Sequence, residues 1–196
     1  MLKTNAKKKI CIVLIISMLF SILPVSAFAE EATDMAWSFD AATGTLTITG
    51  TGEMKDYDYY GEGYDERPWG DYLQDIKTVV IEEGITSVTY NAFEDATQLS
   101  SVFLSSTIED IRSGAFKNCL SLTQIELPTA LRDIDNDAFE RSGLVRVHLP
   151  ENYEVYDDGC APFAGCSYLQ EITVSDNNSN LTAMDGVLFN KDMTKL

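Results

Sequence analysis

One spelling recurs along this chain: Leu99 to Leu104, Leu122 to Leu127, Leu144 to Leu149 and Leu169 to Val174 each read apolar-x-x-apolar-x-apolar, and Ile76 to Ile81 is a fifth copy. The copies are punctuated by Phe93, Phe116, Phe139 and Phe163, each directly after Ala92, Ala115, Ala138 or Pro162, at spacings of 23, 23 and 24 residues. A fixed period of this size is the mark of a stacked solenoid, in which each unit buries its apolar side against its neighbours. Such a chain builds an extended surface instead of one central cavity, which points to binding before catalysis.

Within a repeat the strand comes first. Period-two alternation turns Leu122, Ile125 and Leu127 inward and Gln124 and Glu126 outward. A second apolar pair follows in Ile85-x-x-Val88, Ile108-x-x-Ile111 and Leu131-x-x-Ile134, which predicts a short extended segment on another side of the coil. Ser113 and Asn136 stand three residues before their phenylalanines as N-caps, and Pro162 suits a first helical turn, so one short helix or 3₁₀ turn is expected per repeat. The fold class expected is therefore a β-rich α/β solenoid.

Before the repeats, Trp37-Ser38-Phe39 and Leu46-Thr47-Ile48-Thr49 alternate apolar with polar around Ala42-Thr43-Gly44, the pattern of a β-hairpin. It reads as an N-terminal cap over the exposed end of the stack. Lys55 to Asp75 reads as a loop whose Trp69 packs back onto the first repeat. At the other end Asp185-Gly186-Val187-Leu188-Phe189 replaces the Ala-Phe turn, and Asn190-Lys191-Asp192 reads as a hairpin turn. The organisation expected is a leader over residues 1–29, a hairpin cap and loop over 30–75, and about five repeats over 76–196, the last incomplete.

The leader is read from Lys3, Lys7, Lys8 and Lys9 ahead of an apolar run from Ile10 to Leu23, then Pro24 and Ala27-Phe28-Ala29 before Glu30. That three-part layout is a secretory signal peptide, and the run is shorter than the roughly 20 residues a spanning helix needs. No membrane insertion is expected after its cleavage. Cys11 lies at the start of the run, not at the cleavage point where a lipid-anchored signal would need it. From Glu30 onward all 31 acids but only 10 of the 14 bases remain, a net charge of about −21. Such a surface repels phosphate backbones and anionic membranes, so nucleic acid is excluded as a partner.

Cys119 and Cys166 fall, with Ala96 and Ser142, three residues after each repeat phenylalanine, in a column of small residues. Positions two repeats apart lie roughly 10 Å from each other if strands stack at about 4.8 Å, beyond the reach of a disulfide. Cys119 is therefore not expected to pair with Cys166 or Cys160.

These residues resemble the BspA-like class of bacterial leucine-rich repeats, whose unit runs I-x-x-I-x-x-x-A-F-x-x-C-x-x-L-x-x-I-x-L-P. Ile108-Glu109-Asp110-Ile111, Ala115-Phe116, Cys119, Leu122, Ile125, Leu127 and Pro128 follow it almost throughout. The departures are one residue fewer between Phe139 and Leu144, around Gly143, and the inserted Asp157-Asp158-Gly159 region. The resemblance implies a leucine-rich-repeat solenoid in a secreted or cell-surface binding protein, adhesion being a role often proposed for the class, and implies no catalytic residue.

Candidate chemistry is sparse. His148 sits at an outward strand position with Glu126 and Glu171 on flanking strands, yet no nucleophile motif accompanies it, so it reads as a surface histidine. Asp133-Ile134-Asp135-Asn136-Asp137 alternates like a calcium loop, but Ala138 and Leu144 stand where a glycine and a bidentate glutamate belong, which leaves a solvated turn. Asp56, Asp58, Glu62, Asp65 and Glu66 form a weaker candidate for a hard cation. Zinc lacks ligands, and no cofactor or metal is expected.

Stacking aligns the outward residues into two columns: Thr78, Ser101, Gln124, Arg146, Glu171 and Val80, Phe103, Glu126, His148, Thr173. An exposed aromatic beside Arg and His has the composition of an interface. The candidate binding face is accordingly Val80, Ser101, Phe103, Gln124, Glu126, Arg146, His148, Glu171 and Thr173. The ligand expected is a protein or glycan, with a structural spacer of a larger surface protein as the alternative.

Overall fold

The computed structural model describes residues 35–56, 67–155 and 160–193. The leader over 1–29, the candidate ligands Asp58, Glu62, Asp65 and Glu66, and the Asp157-Asp158-Gly159 insertion lie outside the described residues.

The fold is a β-solenoid of leucine-rich-repeat type, almost without helix. Strands β1 (Ala36–Asp40) and β2 (Thr45–Thr49) form the expected antiparallel hairpin. β2 then pairs in parallel with β3 (Thr78–Ile81), and β3 with β5 (Ser101–Phe103), while β4 (Ser87–Val88) lies on another side of the coil. There β4, β6 (Asp110–Ile111) and β7 (Asp133–Ile134) make a parallel sheet of three two-residue strands, the second extended segment the apolar pairs predict. β8 (Arg146–Leu149) and β9 (Glu171–Val174) continue the strand side as a second parallel pair. β10 (Leu181–Met184) and β11 (Val187–Asn190) close the described chain as a hairpin.

The hairpin at the start does more than cover the first coil. β2 occupies the strand position, and past it Gly52 donates its N–H to Gly84 O and bridges to Ile85 on the second side. Trp69 then takes the place of the repeat phenylalanine, fully buried, with its ring 5.7 Å from that of Phe93 and its indole N–H donating to Ala92 O. β2, Gly52 and Trp69 thus mark one position on each of the three sides of one more coil, with β1 added at the edge.

In the next four coils the third side is built on phenylalanine. Phe93, Phe116 and Phe139 are fully buried and stack on one another at 5.4 and 5.2 Å, with Phe163 5.6 Å beyond. Beside them the backbone runs a ladder of its own: Phe93 N–H donates to Ala115 O, Phe116 to Ala138 O and Phe139 to Pro162 O, at 2.7 to 2.8 Å. The small-residue column completes it, since the Cys119 thiol donates to Phe93 O and the Cys166 thiol to Phe139 O. Cys119 and Cys166 form no disulfide with each other, and burial pushes the thiol of Cys119 far up from its ordinary value.

The element around each phenylalanine is a run of separate turns. Hydrogen bonds of i to i+3 type close them, as in Ala92 to Thr89, Glu94 to Asn91 and Ala96 to Phe93. They do not merge into a helix because left-handed positions interrupt them, two in each of the coils of Phe93, Phe116 and Phe139 and one in that of Phe163. Asn91, Gly114 and Asp137 stand two before the phenylalanine, and Asp95, Asn118, Arg141 and Gly165 two after it, all with φ between 51° and 68°. A left-handed residue every four ends any right-handed helix after one turn. Among the described residues the one 3₁₀ element is Gly70–Tyr72, beside Trp69. Asn136 is not an N-cap for its own turn: its side chain accepts the N–H of Ala161 in the next coil.

Two further features are local. Asp185-Gly186 is the turn of the β10–β11 hairpin, with φ 52° and 78°, the type I′ geometry that Asp-Gly favours, and the chain turns again at Asn190-Lys191-Asp192, where Met193 N–H donates to Asn190 O. Gln124 to Leu127, expected as a strand, belongs to no strand, and among the described residues the bond joining that coil to β8 comes just before it, from Val145 N–H to Thr123 O.

Two substitutions test this architecture. Phe116→Ala removes a ring packed on both faces and is expected to cost about 3–5 kcal/mol, whereas Phe103→Ala is expected to be nearly silent; urea midpoints of the two variants decide, and equal losses would refute the inward and outward assignment. At the shortened repeat a Cβ on Gly143 would lie 2.3 Å from Leu120 O, a backbone atom that cannot swing aside. Gly143→Ala is expected to lower the urea midpoint more than Ala130→Gly, on an outer turn of the neighbouring coil, does.

Candidate functional site

Strand alternation decides which side chains this protein can show a partner. In β3, β5 and β8 the inward Val79, Val102, Val147 and Leu149 are buried, which leaves the residues between them on the outer face. Thr78 pairs with Ser101 and Val80 with Phe103 across β3 and β5. Phe103 is 60% exposed, and Val80 and Ser101 are half-buried beside it. Thr45 and Thr47 of β2 continue the two columns, because Thr45 pairs with Thr78 and Thr47 with Val80. Sequence reasoning missed these two; the alternation Leu46-Thr47-Ile48 carried the signal, since its apolar members match Val79 and Ile81 in register.

A second patch lies on β8 and β9. Arg146 pairs with Glu171, its Nε 3.4 Å from Oε2, and His148 Nδ1 lies 2.9 Å from Thr173 Oγ1. The histidine therefore meets a threonine hydroxyl, while Glu171 pairs with the arginine one register step away. Gln124 and Glu126 are exposed between the two patches but stand on unladdered chain. The nine expected residues are thus brought together as two sheet patches joined by an irregular segment.

Beside the second patch the β10–β11 hairpin folds back toward β9, with Ile172 N–H donating to Gly186 O. A groove of about 560 Å³ opens there, lined by Arg146, Gln170, Glu171, Thr173, Asp185 and Gly186, with Ile172 and Ala183 as its apolar part.

The other two sides carry charge in different ways. On the second sheet Asp110 and Asp133 are direct neighbours, and burial first, then Asp135 and Asp110, raises the Asp133 carboxyl above its ordinary value. The segment read as a solvated turn is thus partly a half-buried strand: Asp133, Asp135 and Asp137 are all half-buried. On the turn side Lys117 Nζ lies 2.7 Å from Glu140 Oε2, and that hydrogen bond raises the lysine and lowers the glutamate. Among the described residues no group of three or more His, Cys, Asp or Glu is placed to hold a metal ion, and no helix is long and apolar enough to cross a membrane.

Compared with known families, residues 71–191 match the model of the BspA type leucine-rich repeat region in six copies. The chain belongs to this family. Arrays of BspA type are repeat modules for binding or scaffolding, as expected of a fold whose units differ mainly on their outer faces. Among solved structures, a leucine-rich repeat protein from Eubacterium ventriosum is 24% identical with a TM-score of 0.63, over 82% of this chain and 47% of that one. A leucine-rich repeat protein from T. pallidum is 21% identical with a TM-score of 0.53, over 74% and 71%. These likenesses show the fold, and this chain spans about half the length of the Eubacterium protein. A comparison with curated proteins finds no match.

The raised Asp133 carboxyl fixes a sign. A folded-state pKa above the unfolded one adds stability that is full below the unfolded value and lost as pH rises through the folded value. Glu140 is the reverse case, its contribution present at neutral pH and lost as pH falls through its lowered value. Asp133→Asn is therefore expected to be at least as stable as the parent at pH 7 and to flatten the gain on acidification toward pH 4, whereas Glu140→Gln is less stable than the parent at pH 7 and loses less on acidification. Thermal melts from pH 7 to pH 3 check both.

Proposed function

We propose that this protein is an exported, non-enzymatic binding module that engages a protein or glycan at the cell surface through its strand face. The observation that carries the reading is Phe103, 60% exposed on a regular strand beside half-buried Val80, in a chain whose other repeat phenylalanines serve the stack. Folding does not require an aromatic there, and aromatic and arginine side chains supply most binding energy at interfaces. Arg146 and His148 on β8 add polar anchors, and the net charge of −17 keeps the rest of the surface soluble and turned away from anionic partners. Export rests on the Lys-rich, apolar and Ala-Phe-Ala sequence of residues 1–29.

The test is a protein and glycan array probed with the chain from Glu30 onward. For any partner found, changing Phe103, Arg146 and His148 together to Ser is expected to weaken binding about a hundredfold or more with the urea midpoint preserved. A control change of Gln98 and Thr129 to Ala is expected to leave affinity within a few-fold. Loss in the control with retention in the triple variant would move the site off the strand face.

A further inference from the structure

We propose that the groove between β9 and the β10–β11 hairpin is a subsite for a neutral oligosaccharide, an assignment that rests on the strand-side binding reading above. The groove is about 560 Å³, within the range of roughly 300–1,000 Å³ common to small-ligand sites, but those sites are mostly apolar and this one is not. Its side chains mix donors and acceptors: the Arg146 guanidinium and Gln170 amide donate, the Glu171 and Asp185 carboxylates accept, and Gln170 Oε1 and the Thr173 hydroxyl add acceptors. A sugar hydroxyl both donates and accepts, so a ring of vicinal hydroxyls matches such a lining. Ile172 and Ala183 supply a small apolar area against which the C–H face of a pyranose can lie.

Charge narrows the class further. Arg146 and Glu171 compensate each other at 3.4 Å, and Asp185 leaves the groove acidic within a chain of net charge −17. Anionic sugars and acidic peptides are disfavoured, and a peptide anchor would need an apolar pocket that this lining does not provide. The groove is also held in shape. Gly186 sits in the left-handed region, where an added Cβ would stand 3.3 Å from Gln170 O, and the Ile172 to Gly186 hydrogen bond ties the turn to β9.

The experiment is titration calorimetry of the chain from Glu30 onward with neutral gluco-, galacto- and manno-oligosaccharides of two to five units, alongside a lysine-rich and a glutamate-rich peptide. One neutral series is expected to bind and neither peptide. Glu171→Gln and Asp185→Asn, both isosteric and the second compatible with the left-handed turn, are each expected to weaken it about tenfold, with Gln98→Ala unchanged. Binding of the lysine-rich peptide in place of the sugars, no binding by any probe, or sugar binding indifferent to both groove variants would overturn the assignment. Should the sugars fail while the triple strand-face variant still loses its array-found partner, the groove assignment falls and the strand-face reading stands.

Discussion

Everything in this structure depends on keeping successive coils in register along the phenylalanine column. Five aromatic rings, from Trp69 to Phe163, stack at 5.2 to 5.7 Å, close to the separation of neighbouring strands in a sheet. The match lets side-chain stacking and backbone hydrogen bonding be satisfied together. Donors run in both senses along the stack. On the turn side each coil donates to the next, as Phe93 does to Ala115. On the strand and second sides donors also run to the coil before, as Ser100 does to Lys77 and Glu109 to Thr86, alongside forward bonds such as Gly52 to Gly84. A coil is thus held by its neighbours on three sides, and sliding one by a residue would break both sets.

That constraint divides the residues of each repeat sharply. Inward apolar positions, the small column and the left-handed positions of each coil are fixed by the stack. The outward strand positions carry none of these duties, so they are free to differ from coil to coil, and they do: Thr45, Thr78, Ser101, then Arg146 and Glu171 in one column; Thr47, Val80, Phe103, then His148 and Thr173 in the other. A rigid scaffold with variable side chains on one face has the properties a binding surface needs. The side chains arrive already ordered, which lowers the entropy lost on association.

What the sequence shows follows from what is periodic. The fold class, the inward residues, the phenylalanine column and the second extended segment were legible because each recurs at 23 or 24 residues. The extra coil marked by β2, Gly52 and Trp69 was not, since the sequence between Ile48 and Trp69 has no periodicity and the ring is a tryptophan after Pro68 in place of a phenylalanine after alanine. The spelling Pro162-Phe163 elsewhere in the chain hints at that equivalence. The short helix expected from N-cap signals became a run of turns because caps are read locally, whereas Asn136 uses its side chain to tie the next coil. The Asp185-Gly186 turn has its own local signature, Asp-Gly between apolar residues, and it falls outside the repeat period.

The candidate site divides along the same line. Strand alternation put Phe103, Arg146 and His148 outward, and the structure agrees, because facing is decided by the buried partners Val102 and Val147. The break at Gln124 to Leu127 and the groove by β9 had no sequence signature, since both arise where the period fails. Phe139 to Leu144 is one residue short, so β8 begins early and Gly143 must press against Leu120 O. Past β9 the Ala-Phe turn is absent, and a hairpin folds back against the strand in its place. A perfect repeat would have covered β9 with another strand and left no recess. The groove beside β9 is thus a consequence of the array departing from its own period, and that departure also brings Asp185 and Gly186 beside Gln170 and Glu171, residues that no alignment of columns would have placed together.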